Sequence, residues 1–277
     1  VVSEAETPVP ASDLPTRAVM GVVMVAVACA AIYLGGWVFR LLVLAGAAVM
    51  LLEWADMHRV PRRWGYVGGL VLAVNLLVVS EILYPTGMMD EAIGAASFVP
   101  AWTGFGVSLG LALLLGLLAR RRTMVGGYLY IAIPSFALLT INWAWFGLTF
   151  WMMLVTWATD IFAYFAGRSI GGPKLAPRIS PNKTWAGLGG GFVGAAVIGA
   201  LAAWYFTLGA PFLYVGGLMG LIAQAGDLYE SWLKRRAGVK DSGTILPGHG
   251  GALDRLDGLL PVILATFLIL VGGLWTG

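Results

Sequence analysis

Apolar runs separated by short polar stretches recur along the whole chain, at residues 18–35, 38–54, 66–83, 99–118, 126–141, 146–166, 185–206, 211–228 and 259–275. Each approaches the roughly 17 to 25 residues that a helix needs to cross about 30 Å of hydrocarbon. The pattern predicts an all-α fold: a polytopic integral membrane protein with about nine transmembrane helices.

The polar stretches alternate in charge. His58, Arg59, Arg62 and Arg63 follow the second run, and Arg120, Arg121 and Arg122 the fourth. Arg168, Lys174, Arg178 and Lys183 follow the sixth, and Lys234, Arg235, Arg236 and Lys240 the eighth. The intervening loops, including Tyr84–Ala92 and Thr207–Pro211, contain no Lys or Arg. The positive-inside rule then places the N-terminus and the basic loops in the cytoplasm and the C-terminus outside, a multi-pass topology expected in the cell inner (plasma) membrane. Residues 1–16 read as a polar, proline-containing N-terminal tail without the basic region of a secretory signal, so the first run is expected to be a retained helix. Residues 17–145 form N-terminal transmembrane helices with few internal polar groups. Residues 146–277 form a C-terminal catalytic transmembrane region that carries nearly all of the unusual ones, with its site facing the cytoplasm.

Hydrophobic residues make up 59% of the 277 and Asp, Glu, Lys and Arg only 11%, with a mean hydropathy of +0.86. Soluble domains carry about 25% charged residues, so a soluble globular protein is excluded. The net charge of +3 is dispersed over short loops and forms no long stripe, so nucleic acid is not an expected partner. The lone Cys29 permits no intrachain disulfide, and His58 and His249 are too few for a histidine-rich metal site.

About a third of the charged side chains crowd between Asp227 and Asp257, where five acids meet five bases around a Pro-Gly-His-Gly-Gly turn. Charge is costly in hydrocarbon and is usually kept for function or topology. On a helix, Asp227, Glu230, Ser231 and Lys234 share one face with Gln224. A salt-bridged helix end with a snorkelling lysine would show the same spacing. Asp254 and Asp257, three residues apart beside Arg255, could share a divalent cation with substrate phosphates, or cap the last helix. The glycines before them, with Lys240, Asp241 and His249, suit a tightly turning backbone that offers N–H groups to phosphate.

Upstream, Asp160, Tyr164 and Gly167 share a helix face, and Ser180, Asn182, Lys183 and Thr184 immediately precede Trp185. Asn182 or Thr184 could cap the next helix; alternatively the segment forms an anion site with Lys183 as countercharge. Gly189-x-Gly191-x-x-Gly194 matches a dinucleotide fingerprint, but it lies in an apolar helix with no preceding strand, which points to close helix packing. Asn75 reads as an interhelical hydrogen bond. Glu53, beside Trp54, Asp56 and His58, reads as part of an interfacial charge cluster, of less consequence than Asp227 or Asp254.

Residues Ser231 to Asp257 spell S-x-L-K-R-x4-K-D-S-G-x-I-L-P-G-H-G-G-x-L-D-R-x-D, which resembles the signature of phosphatidate cytidylyltransferases, also called CDP-diacylglycerol synthases. D-x-x-A-Y-x-x-G-R from Asp160 and K-L-A-P-x-I-S-P-N-K-T-W from Lys174 resemble that family as well. The likeness is sharp over about residues 156–260. Earlier it reduces to helix count and the Glu53-Trp54 pair.

The resemblance implies transfer of CMP from CTP to phosphatidic acid at the lipid bilayer, giving CDP-diacylglycerol and pyrophosphate. It also implies Mg²⁺ held by Asp227 and Asp254, with Asp257 and Asp241 as further ligands or outer support. Lys234, Arg235, Lys240 and Arg255 would neutralise the triphosphate and the lipid phosphate. Ser180, Asn182, Lys183, Thr184 and Ser231 would hold nucleotide or headgroup, and His249 would orient phosphate rather than act as a base. The close carboxylates leave room for a second, monovalent cation, and a homodimer stays open.

Three other readings touch the same chemistry. CDP-alcohol phosphatidyltransferases carry D-G-x2-A-R-x8-G-x3-D-x3-D, whereas Asp257-Gly258 here continues into Leu259-Leu260-Pro261. A polyprenol or archaeal-lipid cytidylyltransferase would share the nucleotide chemistry. A transporter binding its coupling ion at Asp160 and Asp227 is disfavoured by the one-sided clustering of charge and the lack of repeat symmetry.

Overall fold

The apolar runs fold as helices, and two of the polar segments fold against them. The computed structural model describes residues 13–83, 101–243, 245 and 250–272. The first twelve residues, the loop Tyr84–Ala92 and His249 lie outside the described residues. The elements run α1 (Asp13–Leu34), α2 (Gly36–Met57), α3 (Arg62–Leu83), α4 (Ala101–Ala119), α5 (Arg122–Ala144) and α6 (Phe146–Ser169). A hairpin of β1 (Lys174–Ala176) and β2 (Ser180–Thr184) follows. Then come α7 (Trp185–Tyr205), α8 (Ala210–Tyr214), α9 (Gly216–Ala237), α10 (Leu253–Leu256) and α11 (Leu259–Val271).

Among the described residues, α2, α3, α5, α6 and α7 are long and apolar enough to cross a membrane, and α1, α4 and α11 contain shorter apolar stretches. Val22, Leu70, Leu117 and Leu201 remain exposed on the outside of the bundle. An apolar surface on that scale suits lipid and would be a liability in water. An all-α membrane architecture is therefore what the chain forms.

Two segments differ from the predicted pattern. The run 211–228 is not one helix: α8 ends at Tyr214 and α9 starts at Gly216. Gly216 is pressed against α7, where a Cβ would sit 2.6 Å from the Ala195 carbonyl oxygen. Beyond Leu228, α9 continues to Ala237 because Asp227, Glu230 and Lys234 find charged partners rather than lipid. The stretch read as a polar loop contains the hairpin, antiparallel, with Lys174 opposite Thr184 and Ala176 opposite Ser180.

Small residues bring the helices around the site together. On α7, a Cβ at Gly187 or Gly191 would lie 3.0 Å from the carbonyl oxygens of Ala163 or Thr159 on α6. The glycine pattern at 189–194 is thus a packing face at Gly191, as its setting implied. Gly226 of α9 likewise abuts Asp257 and Pro261, which fixes the start of α11 beside α9. Asn75 Nδ2 donates to Ser108 Oγ at 2.9 Å, tying α3 to α4 as expected.

Candidate functional site

The two polar segments meet at one cleft of about 720 Å³. Its walls include Asp160 and Gly167 of α6, Asn182, Lys183 and Thr184 of β2, and Gln224 and Asp227 of α9. The hairpin delivers Lys183 across the cleft. Its Nζ lies 2.5 Å from Asp227 Oδ2 and donates to Gln224 Oε1 at 2.7 Å. Ser231, one turn after Asp227, donates its hydroxyl to Asp227 Oδ1 at 3.3 Å. Of the two expected caps, Thr184 serves: its Oγ1 accepts from the Gly187 N–H at 3.0 Å and begins α7. Asn182 is left exposed in the cleft wall. Replacing Thr184 with alanine is therefore expected to cost about 1 kcal/mol of stability, read as a lower thermal midpoint in detergent.

A second cluster is built around the loop that returns to α10. Lys234 Nζ donates to Asp254 Oδ1 at 2.6 Å and lies 3.3 Å from Glu230 Oε1. Asp254 Oδ2 accepts from the backbone N–H groups of Ser242 and Gly251, each at 2.9 Å. Burial opposes ionisation of Asp254, but the Lys234 ammonium and these two amides hold its carboxyl below the ordinary carboxylate range. Gly250, at φ +77°, makes the turn that allows this, and a Cβ there would meet Asp254 Oδ2 at 2.9 Å.

Glu53 corrects the sequence reading. It does more than join a charge cluster at the helix end: it is 2% exposed, and its carboxylate faces the loop. Oε1 accepts from the Ala252 N–H and Oε2 from the Leu253 N–H, both at 2.9 Å, and Ser242 Oγ lies 3.4 Å from Oε2. Trp54 secures the helix end, donating Nε1–H to the Thr123 carbonyl at 2.9 Å. The available signal was a carboxylate in the last turn of an apolar helix next to that tryptophan.

Burial pushes the Asp257 carboxyl above its ordinary range, and the neighbouring Asp227 and Asp160 charges push it further. The Gly258 N–H, donating at 2.7 Å, and Lys234 only partly oppose this. Among the described residues Oε2 of the fully buried Glu230 accepts no hydrogen bond, and Oε1 has the Lys234 ammonium at 3.3 Å. Mutually repelling carboxylate oxygens with unmet capacity fit a hard divalent cation, although no three of them are yet gathered in ligand geometry among the described residues.

The predicted residues thus divide. Asn182, Lys183, Thr184, Asp227 and Ser231 converge on the cleft, and Lys234 and Asp254 pair beside it. Asp257 and Arg255 lie within electrostatic reach of Asp160. Ser180 begins β2 outside the cleft wall, and Lys240 and Asp241 are exposed after α9. Arg235 turns back to the Val239 carbonyl at 3.3 Å. In sequence Gln224 stands out only as part of the Asp227 stripe, yet it shares Lys183 with Asp227.

Residues 15–272 match the model of the cytidylyltransferase family. A phosphatidate cytidylyltransferase of Brucella abortus is 34% identical over 95% of both chains. One from Rickettsia bellii is 32% identical over 76% of this chain and 90% of its own length. One from Bacillus subtilis is 46% identical over 45% of this chain and 48% of its own.

Proposed function

The chain belongs to the cytidylyltransferase family, and from that premise we propose that it transfers CMP from CTP to phosphatidic acid, yielding CDP-diacylglycerol and pyrophosphate. It is a CTP-dependent nucleotidyltransferase of phospholipid biosynthesis. The observation that carries this reading is the closure of two distant polar segments onto one cleft through Lys183, Gln224 and Asp227. Cations from one segment and carboxylates from the other are what a polyphosphate and its counter-cation require.

Phosphatidic acid brings an already ionised phosphate oxygen, so the reaction makes no demand for a general base. That oxygen attacks the α-phosphorus of CTP. A new P–O bond forms as the bond to the bridging oxygen breaks, and pyrophosphate leaves with the electron pair. The barrier lies in joining two polyanions and carrying charge on the leaving group, so positioning and electrostatics supply the rate. Lys183, Lys234 and Arg255 neutralise phosphate charge, Lys183 exchanging Asp227 for the nucleotide. Asn182 contacts nucleotide or headgroup, while Thr184 acts through the cap that fixes Lys183. Arg235, in the last turn of α9, and Lys240, exposed just after it, draw approaching CTP through their field, which the Asp241 carboxylate beside Lys240 partly offsets.

Mg²⁺ would be held by Asp227 and Asp257, with Asp254 joining when Lys234 turns from it to phosphate. Such a cation, when bound, screens the triphosphate and polarises the α-phosphorus. The chain sits in the cell inner membrane with α1, α4, α9 and α11 completing about nine spans, and its N-terminus and cleft face the cytoplasm. The basic residues of the loops after α2, α4, α6 and α9 support this orientation.

Purified protein in mixed micelles with phosphatidic acid, labelled CTP and Mg²⁺ is expected to release CDP-diacylglycerol and pyrophosphate in equal amounts. EDTA should stop the reaction and excess Mg²⁺ restore it. Folded protein that makes no product would refute phosphatidic acid as the acceptor, and turnover that survives EDTA would remove the cation.

A further inference from the structure

A second cavity, of about 330 Å³, lies between α1, α2, α5, α6 and α11, and its wall is almost wholly apolar. Three helical segments relate it to the polar site. On α2, Met50 lines it one turn before Glu53. On α6, Met153 lines it two turns before Asp160, about 10 Å along the axis. At the other wall, Leu256 lines it between Arg255 and Asp257. On each of these elements the lining residues stand beside a charged residue or within two turns of one, and the lining continues along α2, α6 and α11 away from it. Water would find too few polar partners there to be held.

We propose that this cavity receives an acyl chain of the lipid acceptor and sets its chain-length preference, an inference that rests on phosphatidic acid being the acceptor. Lipid hydrocarbon surrounds a chain as well as protein does, so burial alone gives little affinity here. The cavity selects by shape and length instead, holding the chain so that the phosphate meets Arg255 and the cleft. Gly46 is the control point. It lines the cavity, and a Cβ at this position meets nothing within 4 Å. A larger side chain at Gly46 fills the space without displacing α2, while trimming Met153 enlarges it.

The test compares kcat/KM for dioctanoyl and dioleoyl phosphatidic acid in mixed micelles, for the wild type, Gly46→Phe and Met153→Ala. Gly46→Phe is expected to lower the long-to-short ratio by about tenfold or more, and Met153→Ala to raise it. A ratio unchanged in both folded variants would overturn the proposal. A phosphatidic acid with a diazirine at its chain end supplies a readout independent of turnover. It should label α2 or α11 of the wild type, be displaced by unlabelled phosphatidic acid, and fail to label Gly46→Phe. Equal labelling of that variant would also overturn the assignment. If the wild type turns over neither lipid yet shows the displaceable labelling, the cavity stands and the proposed reaction falls.

Discussion

Replacing Asp227 with alanine is expected to lower kcat by about three orders of magnitude or more while leaving a folded protein. A metal-held, charge-stabilised transition state depends on its carboxylate by several kcal/mol, and each 1.36 kcal/mol is about tenfold in rate. The side chain is only half-buried, and its partners are Lys183 and Ser231 rather than the apolar core, so the structural loss is small. Two companion variants separate the possible roles. Asp227→Asn keeps the shape and removes the charge, so it should need far more Mg²⁺ for half-maximal rate if Asp227 is a ligand. Lys183→Ala should chiefly raise KM for CTP, because it removes a cation from the cleft and leaves the carboxylates. Asp227→Ala protein retaining turnover within about tenfold of wild type would take Asp227 out of the reaction.

The helical frame could be read because lipid leaves few choices for an apolar run, although several helices outrun theirs: α3 starts at Arg62 and α5 at Arg122, each ahead of its run. Phe146 begins both the sixth run and α6, and Trp185 both the seventh run and α7. The reading failed where tertiary contact overrode length. The close approach of Gly216 to α7 breaks the eighth run at a place hydropathy does not mark. The hairpin was invisible because its strands are only three and five residues long, with no apolar alternation to reveal them. The Asp227 face was legible from helical spacing alone, since Ser231 and Lys234 follow at intervals of a turn or two. Its partner Lys183 was legible only as a loose countercharge, because a link across forty-odd residues leaves no local trace. Glu53 shows the limit most clearly: a carboxylate at a helix end has the same sequence pattern whether it faces solvent or accepts from a loop about two hundred residues away.

Glu53→Gln is accordingly expected to be among the most damaging substitutions outside the cleft, lowering both stability and kcat/KM. The carboxylate faces donors on both sides, the Ala252 and Leu253 amides and the Ser242 hydroxyl. Gly243 and Gly251 are pressed so closely that a Cβ would lie 2.7 Å from Oε1 and 2.6 Å from Oε2, so the loop backbone cannot retreat behind a side chain. Glutamine must turn its NH₂ toward one of these donors, and flipping the amide only exchanges which one. A buried donor left without an acceptor costs about 1–3 kcal/mol, which should appear as a lower thermal midpoint in detergent. The same loop supplies the Ser242 and Gly251 amides to Asp254, so a shift of about 1 Å there disturbs the Lys234–Asp254 pair and should cost about a hundredfold in kcat/KM. Glu53→Asp keeps the charge and loses one methylene of reach, so it should fall between the two. Wild-type turnover and unchanged melting in Glu53→Gln would show that the loop holds its shape without this carboxylate, returning Glu53 to the interfacial role its sequence setting suggests.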